Sequence, residues 1–329
     1  MSEVVVGLDV HLKSTQVTVM KLNGEIVKRE RVNTSRAELR KCLASVPKGT
    51  KVALESVGFC WPWIDFLKEL EFEPLLANPL KVKLRAEDVK NDKVDSRTLA
   101  HLTRMNWLPT CYVPPAELRW LRSLLRHRAF RTKLSTGVKN RTKSEFRKRD
   151  IALDVDLKTR KGRREASALD VFEVNQNVEL LDLMDRQSKE IEAMLERKYG
   201  QLKPVQLLMT IPGIGFVSAL TLYAEICDIK RFSNPEKLAH YAGLVPKVRQ
   251  SGEHTGMGRE SKGDKWLKWI FIEASWSHVR YCSEGRLAQV FWDTYRRKGN
   301  KKDAIKVVAR KLVNVVWYVW TYEKEFVVK

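Results

Sequence analysis

The sequence has few cysteines, and no two of them have C-x-x-C spacing. The five are Cys42, Cys60, Cys111, Cys227 and Cys282. An odd number of scattered cysteines fits neither a disulfide framework nor a cysteine-based zinc site. We therefore expect reduced thiols and an intracellular protein.

Long apolar runs are also absent. The opening residues, MSEVVVGLDVHLKS, place acidic and polar side chains where a signal peptide needs an extended apolar core. No later run reaches the roughly 20 apolar residues of a transmembrane helix. The sequence predicts a cytoplasmic protein with no membrane partner.

Acidic residues are scarce relative to basic ones. The 329 residues include 61 Lys and Arg but only 40 Asp and Glu, which gives a formal net charge of +21. Such an excess concentrates polyanions around a protein, so it favours a nucleic-acid partner over the alternative of a merely soluble basic protein. Hydrophobic residues make up 43% of the chain, enough for the cores of two or three domains.

The first third of the chain has the pattern of a mixed α/β domain. Residues 3–10, 15–22 and 25–32 are strand-like, and Asn23-Gly24 between the last two is typical of a tight hairpin. The later segments alternate between helical and strand-like patterns: a helix at 35–46, strands at 51–55 and 73–77, and helices at 61–70 and 94–106. This order predicts an antiparallel start rather than a regular doubly wound alternation.

The remainder of the chain has mostly helical spacing. A long basic helix is predicted over 116–149, a loop near 157–166 and a second helix over 178–199. Together the two helices can form an antiparallel hairpin or a coiled-coil arm. We expect the second helix to pack through the stripe Leu180, Leu183, Ile191, Met194 and Leu195. The basic residues of the first that we expect to contact nucleic acid are Arg119, Arg122, Arg126, Arg131, Lys139, Arg141 and Lys143.

A glycine-containing turn, IPGIG at 211–215, lies between two apolar segments. The backbone N–H groups of Gly213 and Gly215 can approach a phosphate closely, as in helix-hairpin-helix DNA-binding units. A tight turn between two packed helices explains the same residues equally well.

Four carboxylates stand at positions that separate them in sequence but can bring them together in space. Asp9 lies within one strand-like run, Glu55 closes a later one, and Asp92 and Asp95 share one face of a helix. Lone acids are usually solvated, but Asp9 follows an apolar run and is costly to bury without a cation. The set therefore predicts a divalent-metal site for phosphodiester chemistry. His11, on the same strand face as Asp9, either assists there or is structural.

A second candidate centre is the glycine-rich, basic segment 250–263, which we expect to be a loop. Ser251 is by itself most easily interpreted as a turn residue, because a serine hydroxyl is a weak nucleophile without a base or a metal. His254 is either such a base or a polar surface residue.

These motifs together resemble the DEDD-type insertion-sequence transposases, a family that includes the Piv-type invertases and the bridge-RNA-guided recombinases. The resemblance covers nearly the full length and lies in the order and spacing of the blocks rather than in any single one. The blocks are GLDVH at 7–11, ALES at 53–56, NDKVDSRTLA at 91–100, IPGIG at 211–215, FSNPEKLAHYAGLVP at 232–246 and QSG at 250–252.

The resemblance implies a fold and a domain order. A RuvC/RNase H-like catalytic domain would occupy residues 1–110, a basic helical and coiled-coil region 111–203, and a helical transposase domain with a helix-hairpin-helix-like element 204–329. It also implies that Asp9, Glu55, Asp92 and Asp95 form the acidic tetrad and that Ser251 joins covalently to a DNA end. The implied cofactor is Mg²⁺, as two ions, with Mn²⁺ as an alternative.

The same resemblance implies partners: donor and target DNA, a bridge RNA, and further copies of the chain in a dimer or tetramer with composite active sites. One departure concerns the segment after QSG, where Glu260 and Lys268 stand in place of the family's Ile and Arg. It leaves Ser261 as an alternative nucleophile. The rival functions are a RuvC-like metal-dependent nuclease and a non-enzymatic DNA-binding protein.

Overall fold

A computed structural model describes residues 3–83, 92–152, 155–251, 254–260 and 263–327, with residues 92–94, 247–251 and 254–260 described by their backbone alone. The chain divides into two compact units, Met1–Val113 and Pro114–Lys329. The further predicted division at 203/204 stays a prediction. None of the described helices is both long enough and apolar enough to cross a membrane.

The first unit is built on a five-stranded mixed sheet in the order β3-β2-β1-β4-β5. β1 pairs with β2 in antiparallel orientation and with β4 in parallel orientation. Its elements are β1 (Val4–Val10), β2 (Ser14–Lys21), β3 (Ile26–Asn33), α1 (Arg36–Leu43), β4 (Lys51–Glu55), α2 (Trp61–Glu69), β5 (Glu73–Ala77), α3 (Pro79–Lys83) and α4 (Asp92–Arg104). The predicted α/β class, its antiparallel start and the Asn23-Gly24 hairpin are confirmed, and Gly24 has the positive φ of +99° that such a turn requires.

Both faces of this sheet are covered, which explains why β1 is apolar without alternation. On one face, Val6 and Leu8 pack with α1 and α2 residues such as Leu39 and Phe66. On the other face, α4 packs through Ala100 and Leu99. The outer strand β3 differs, because it is mostly exposed and has charged side chains from Lys28 to Arg31.

The second unit is almost entirely helical. Its elements are α5 (Ala116–Lys148), α6 (Arg160–Ser167), α7 (Phe172–Tyr199), α8 (Lys203–Met209), α9 (Phe216–Ile226), a 3₁₀ turn (Ile229–Arg231), α10 (Pro235–Tyr241), β6 (Pro246–Ser251), β7 (His254–Glu260), α11 (Lys265–Tyr281), α12 (Arg286–Lys298) and α13 (Lys301–Tyr322). Its main core gathers buried residues of α5, α7, α8, α9, α10, α11 and α13, among them Leu121, Leu220, Phe271 and Val316. The long basic helix predicted over 116–149 is confirmed as α5.

The segment near 157–166 is a helix, α6, and not the predicted loop. The hydroxyl of Thr159 caps it by accepting a hydrogen bond from the backbone N–H of Gly162 at 3.0 Å. Arg163 of α6 is 2% exposed and donates to Asp182 and Asp185 of α7 at 2.7 and 2.5 Å. The prediction was wrong because the run of Lys and Arg looked fully solvated. One of its arginines, Arg163, is buried and has its partners on another helix.

The apolar stripe predicted for α7 was also wrong in part. Leu195 is buried, but Leu180 and Leu183 are 40% and 38% exposed. The face that packs is one residue out of phase with the predicted one and contains Val174, Val178 and Leu181. This face is buried because it packs against Phe146 and Val138 of α5, contacts that the sequence of α7 alone does not indicate.

Candidate active site and nucleic-acid interface

Asp9 and Glu55 lie next to each other at the carboxyl ends of two adjacent parallel strands. β1 and β4 pair in the register Gly7 to Ala53 and Leu8 to Leu54, so the next residue on each strand is an acid. Side chains at equivalent positions of neighbouring parallel strands point to the same face of a sheet. That face is covered by α4, and Asp9 there is only 6% exposed.

Helix α4 brings the third carboxylate to this place by packing directly onto β1. A Cβ added to Gly7 would lie 2.0 Å from the backbone oxygen of Ser96, so only glycine allows this close approach. The hydroxyls of Ser96 and Thr18 are 3.0 Å apart in a buried hydrogen bond between α4 and β2. These contacts fix the backbone position of Asp95, the residue before Ser96. The side chain of Asp95 is exposed.

The electrostatic surroundings of Glu55 include the two other acids. Burial raises the pKa of Glu55 above its usual range, and the negative charges of Asp9 and Asp95 raise it further. Lys83 and His11 oppose this rise. Nε2 of the half-exposed His11 ring is 2.9 Å from Oδ2 of Asp9, within hydrogen-bonding distance.

Asp92 is the first residue of α4, and its side chain lies outside the described residues. Among the described side chains, no group of three His, Cys, Asp or Glu is placed closely enough to hold a metal ion. The donor chemistry nevertheless fits a hard divalent cation, because carboxylate oxygens are its preferred ligands and their mutual repulsion disfavours the metal-free charged state.

Gly7 and Ser96 position the acids, and the sequence analysis did not single them out. A signal for Gly7 was present, since a glycine inside an apolar strand indicates close approach of another backbone. Ser96 carried no comparable signal, because its role depends on Thr18, which lies 78 residues away in the sequence.

The predicted loop over 250–263 contains two strands instead. β6 and β7 pair in antiparallel orientation, and Ser251, the last residue of β6, pairs with His254. The prediction was wrong because glycines, common in loops, also occur in short strands. The side chains of Ser251 and His254 and the residues Gly252 and Ser261 lie outside the described residues.

The base of this two-stranded sheet is held firmly in the second unit. The backbone N–H of Asp264 donates to the carbonyl of Tyr241 at 2.8 Å. The carboxylate of Asp264 caps α11 by accepting from the N–H groups of Trp266 and Leu267, both at 2.9 Å. A Cβ on Gly263 would lie 2.3 Å from the backbone nitrogen of Gly243, so the chain crosses itself closely here.

The two glycines of IPGIG have different surroundings. Gly213 has φ +89°, and a Cβ there would meet the backbone nitrogen of His278 in α11 at 2.4 Å, so its role is to pack the turn onto α11. Nδ1 of His278 is 2.7 Å from the carbonyl oxygen of Pro212. Gly215 precedes α9, is exposed and has open space where a Cβ would project. Phosphate binding at this turn stays a prediction.

Two of the arginines predicted to contact nucleic acid have partners inside the second unit. Arg122 donates to the carbonyl oxygens of Ala224 and Glu225 at 2.7 and 2.8 Å, at the carboxyl end of α9. Arg126 forms a bidentate pair with the buried carboxylate of Glu225, both bonds measuring 2.9 Å. Both residues join α5 to α9.

The other predicted contact residues of α5 differ in exposure. Arg119 and Lys139 are half-buried, and burial lowers the pKa of Lys139. Arg131, also half-buried, donates to the carbonyl oxygen of Met184 at 3.3 Å. Arg141 and Lys143 are exposed near the carboxyl end of the helix, so they are free to meet a phosphate backbone.

Comparisons with known proteins match both parts of the chain. Residues 6–147 match the transposase family model DEDD_Tnp_IS110, and residues 205–289 match the model of the transposase IS116/IS110/IS902 family.

Three similar proteins differ in their identity to this chain and in how much of it they match. The chain is 25% identical to a "Probable family 20 transposase" of Pseudomonas aeruginosa over 97% of each chain. It is 21% identical to the transposase for insertion sequence element IS1111A of Coxiella burnetii, over 98% of this chain and 91% of that one. A third, the pilin gene-inverting protein of Moraxella bovis, is 34% identical over 36% of this chain and 38% of its own.

Proposed function

Because this chain belongs to the IS110-type family of insertion-sequence transposases, we propose that it cuts and rejoins DNA through an acidic tetrad and a serine nucleophile. The tetrad is Asp9, Glu55, Asp92 and Asp95, and the nucleophile is Ser251. The observation that carries this proposal is geometric: Asp9 and Glu55 follow paired residues of the adjacent parallel strands β1 and β4, and the backbone of α4 next to Asp95 approaches β1 closely at Gly7.

The first unit has features suited to a RuvC/RNase H-like assignment, which is part of the proposal. Its strand order, β3-β2-β1-β4-β5, places an acid at the end of each of two adjacent strands. A helix that packs against them through Gly7 supplies the remaining acids.

In the proposed chemistry, Ser251 forms the covalent bond to DNA and the carboxylates hold the metal. The Ser251 hydroxyl loses its proton to a base or water, and its oxygen attacks the phosphorus of a phosphodiester. The bond between phosphorus and the 3′ oxygen breaks, and that oxygen takes up a proton to give a free 3′ hydroxyl. The resulting serine–phosphate ester is resolved when a 3′ hydroxyl attacks it and the serine oxygen leaves. Mg²⁺ held by the carboxylates would supply positive charge to the oxygens involved. A bridge RNA that selects the DNA, and composite sites built from several copies of the chain, complete the proposal by resemblance to the family.

Substitution of one metal ligand tests the tetrad. Asp9→Asn should lower DNA cleavage in Mg²⁺ at least about 100-fold, because several kcal/mol of charge stabilisation is lost. DNA binding and the secondary structure of the protein should change little. The matched control is Asp150→Asn, on the exposed surface of the second unit. Cleavage near the wild-type rate in Asp9→Asn would refute the metal site.

Denaturing gels of protein incubated with labelled target DNA and Mg²⁺ test the nucleophile. Ser251→Ala should bind DNA and form no covalent adduct, whereas Ser261→Ala should still form it. An adduct lost only in Ser261→Ala would move the nucleophile to that residue. Cleavage by the wild type without any adduct would favour the hydrolytic nuclease instead.

A further inference from the structure

The turn between α12 and α13 concentrates positive charge outside every site described above. Residues 296–302, RRKGNKK, contain five basic residues and no acidic one. All five are exposed: Arg296, Arg297, Lys298, Lys301 and Lys302. The nearest acids in the sequence are Asp293, which pairs with Arg296 at 2.5 Å, and Asp303, which pairs with Lys306 at 3.5 Å.

The backbone of this turn is fixed, so the charges are held in place rather than spread on a flexible loop. Gly299 ends α12 in the left-handed region, and its N–H donates to the carbonyl of Tyr295 at 2.8 Å. Asn300 begins α13, and its side chain accepts from the N–H of Lys302 at 2.9 Å. A buried cluster that includes Phe291 and Ile305 packs the two helices together.

Helix electrostatics explain three of these five charges but not the other two. Arg296, Arg297 and Lys298 lie in the last turn of α12, where the helix dipole favours cations. Lys301 and Lys302 lie in the first turn of α13, where the dipole disfavours them. A bound anion removes this conflict, because it interacts favourably with both the lysines and the amino end of the helix.

An exposed aromatic ring lies beside the cations. Trp292 is one helical turn before Arg296 and is 46% exposed. It contacts Tyr295 edge to face, and Nζ of Lys301 lies 5.6 Å from the centre of the Tyr295 ring. Basic and tyrosine side chains are among the groups that contact the sugar–phosphate backbone of DNA.

We propose that the α12–α13 turn is a contact surface for the phosphodiester backbone of duplex DNA. It binds without reading sequence, because its groups are cationic side chains suited to phosphates rather than side chains that contact base edges in a groove. Its role is to hold the DNA on which the proposed function acts, and in that sense it extends the proposed function.

The test uses the full chain with Arg297, Lys298 and Lys302 all changed to Gln. Fluorescence anisotropy with a labelled DNA duplex, measured over a range of salt concentrations, reports affinity and its salt dependence. We expect at least about tenfold weaker binding at low salt and a slope of log affinity against log salt that is flatter by about 2 to 3, since three counterion-releasing contacts are lost. The control changes Lys41, Lys51 and Lys68, exposed in the first unit, to Gln.

Comparison of the turn variant with the control either supports or overturns the proposal. A flatter slope in the turn variant and not in the control supports the surface. Equal effects of both variants would mean that only bulk charge matters, and no effect of either would mean solvated surface; both results overturn the proposal. Loss of binding to a duplex RNA with DNA binding intact would also overturn it, in favour of RNA. Adduct formation through Ser251, measured separately on wild-type protein, tests the proposed chemistry independently of this surface.

Discussion

Asp9, Glu55 and Asp95 are held together although their charges repel one another. Burial and two neighbouring carboxylates favour the protonated form of Glu55, so the folded state binds a proton there more tightly than the unfolded chain does. Stability from this group therefore falls as pH rises from the ordinary glutamate value of 4.5 through the raised folded-state pKa. Because the folded protein is less stable when these carboxylates are charged and no metal is bound, the site is suited to bind a cation.

Glu55→Gln should consequently raise the unfolding midpoint of the metal-free first unit at neutral pH. The neutral amide keeps the shape of the side chain and removes the repulsion from Asp9 and Asp95. The decline in stability with rising pH should also be smaller than in the wild type. Thermal unfolding in EDTA over pH 4 to 8 measures both effects. The control is Glu69→Gln on the exposed end of α2, and equal or lower stability of Glu55→Gln would contradict the repulsive cluster.

Helix α5 combines two roles that its basic sequence does not distinguish. Arg122 satisfies the last carbonyls of α9, which a helix leaves without partners, and so acts as a cap. Arg141 is exposed near the other end of α5. An arginine near the amino end of α5 therefore stabilises the protein, whereas an arginine near its carboxyl end is exposed to a partner.

Two single substitutions on α5 should separate these roles. Arg122→Gln should lower the free energy of unfolding by about 2–4 kcal/mol, because charged hydrogen bonds to a buried partner are lost, and should leave the salt slope of DNA binding unchanged. Arg141→Gln should leave stability unchanged and flatten that slope by about 1. Chemical denaturation and anisotropy titrations measure the two quantities. The opposite pattern would show that Arg122 is the contact and Arg141 the structural residue.

The elements of the first unit were largely predictable because their signals are local. Strand β4 at 51–55 and the hairpin at Asn23-Gly24 follow from apolar runs and turn residues within a few positions. The acids at strand ends could be predicted for the same reason. Helix α6 and the cap formed by Arg122 could not, because Arg163 and Arg122 look like any surface arginine until partners 19 and 103 residues away are known.

At the scale of the whole molecule, two units with separate cores can respond separately to a ligand. A metal ion that binds the folded first unit stabilises that unit by about 2.7 kcal/mol at 100 times its Kd, while the second unit contains none of the proposed ligands. The formal charge of +21 adds a salt-dependent attraction to DNA that belongs to the entire surface.

Calorimetry with and without Mg²⁺ should show this difference. We expect Mg²⁺ to raise the unfolding transition of the first unit and to leave that of the second in place. Arg122→Gln identifies the second transition by lowering it, and Asp9→Asn should abolish the Mg²⁺ effect. An equal shift of both transitions, or an undiminished shift in Asp9→Asn, would be incompatible with a metal site confined to the tetrad.

The charged outer strand β3 has a consequence for aggregation. A strand at the edge of a sheet presents unpaired N–H and C=O groups to which a strand of another molecule can add. Lys28, Arg29 and Arg31 make such addition unfavourable, because a second copy of β3 would bring its own cations against them. The β3 edge of the sheet is thereby protected against the addition of strands from other copies of the chain, even where the local protein concentration is high.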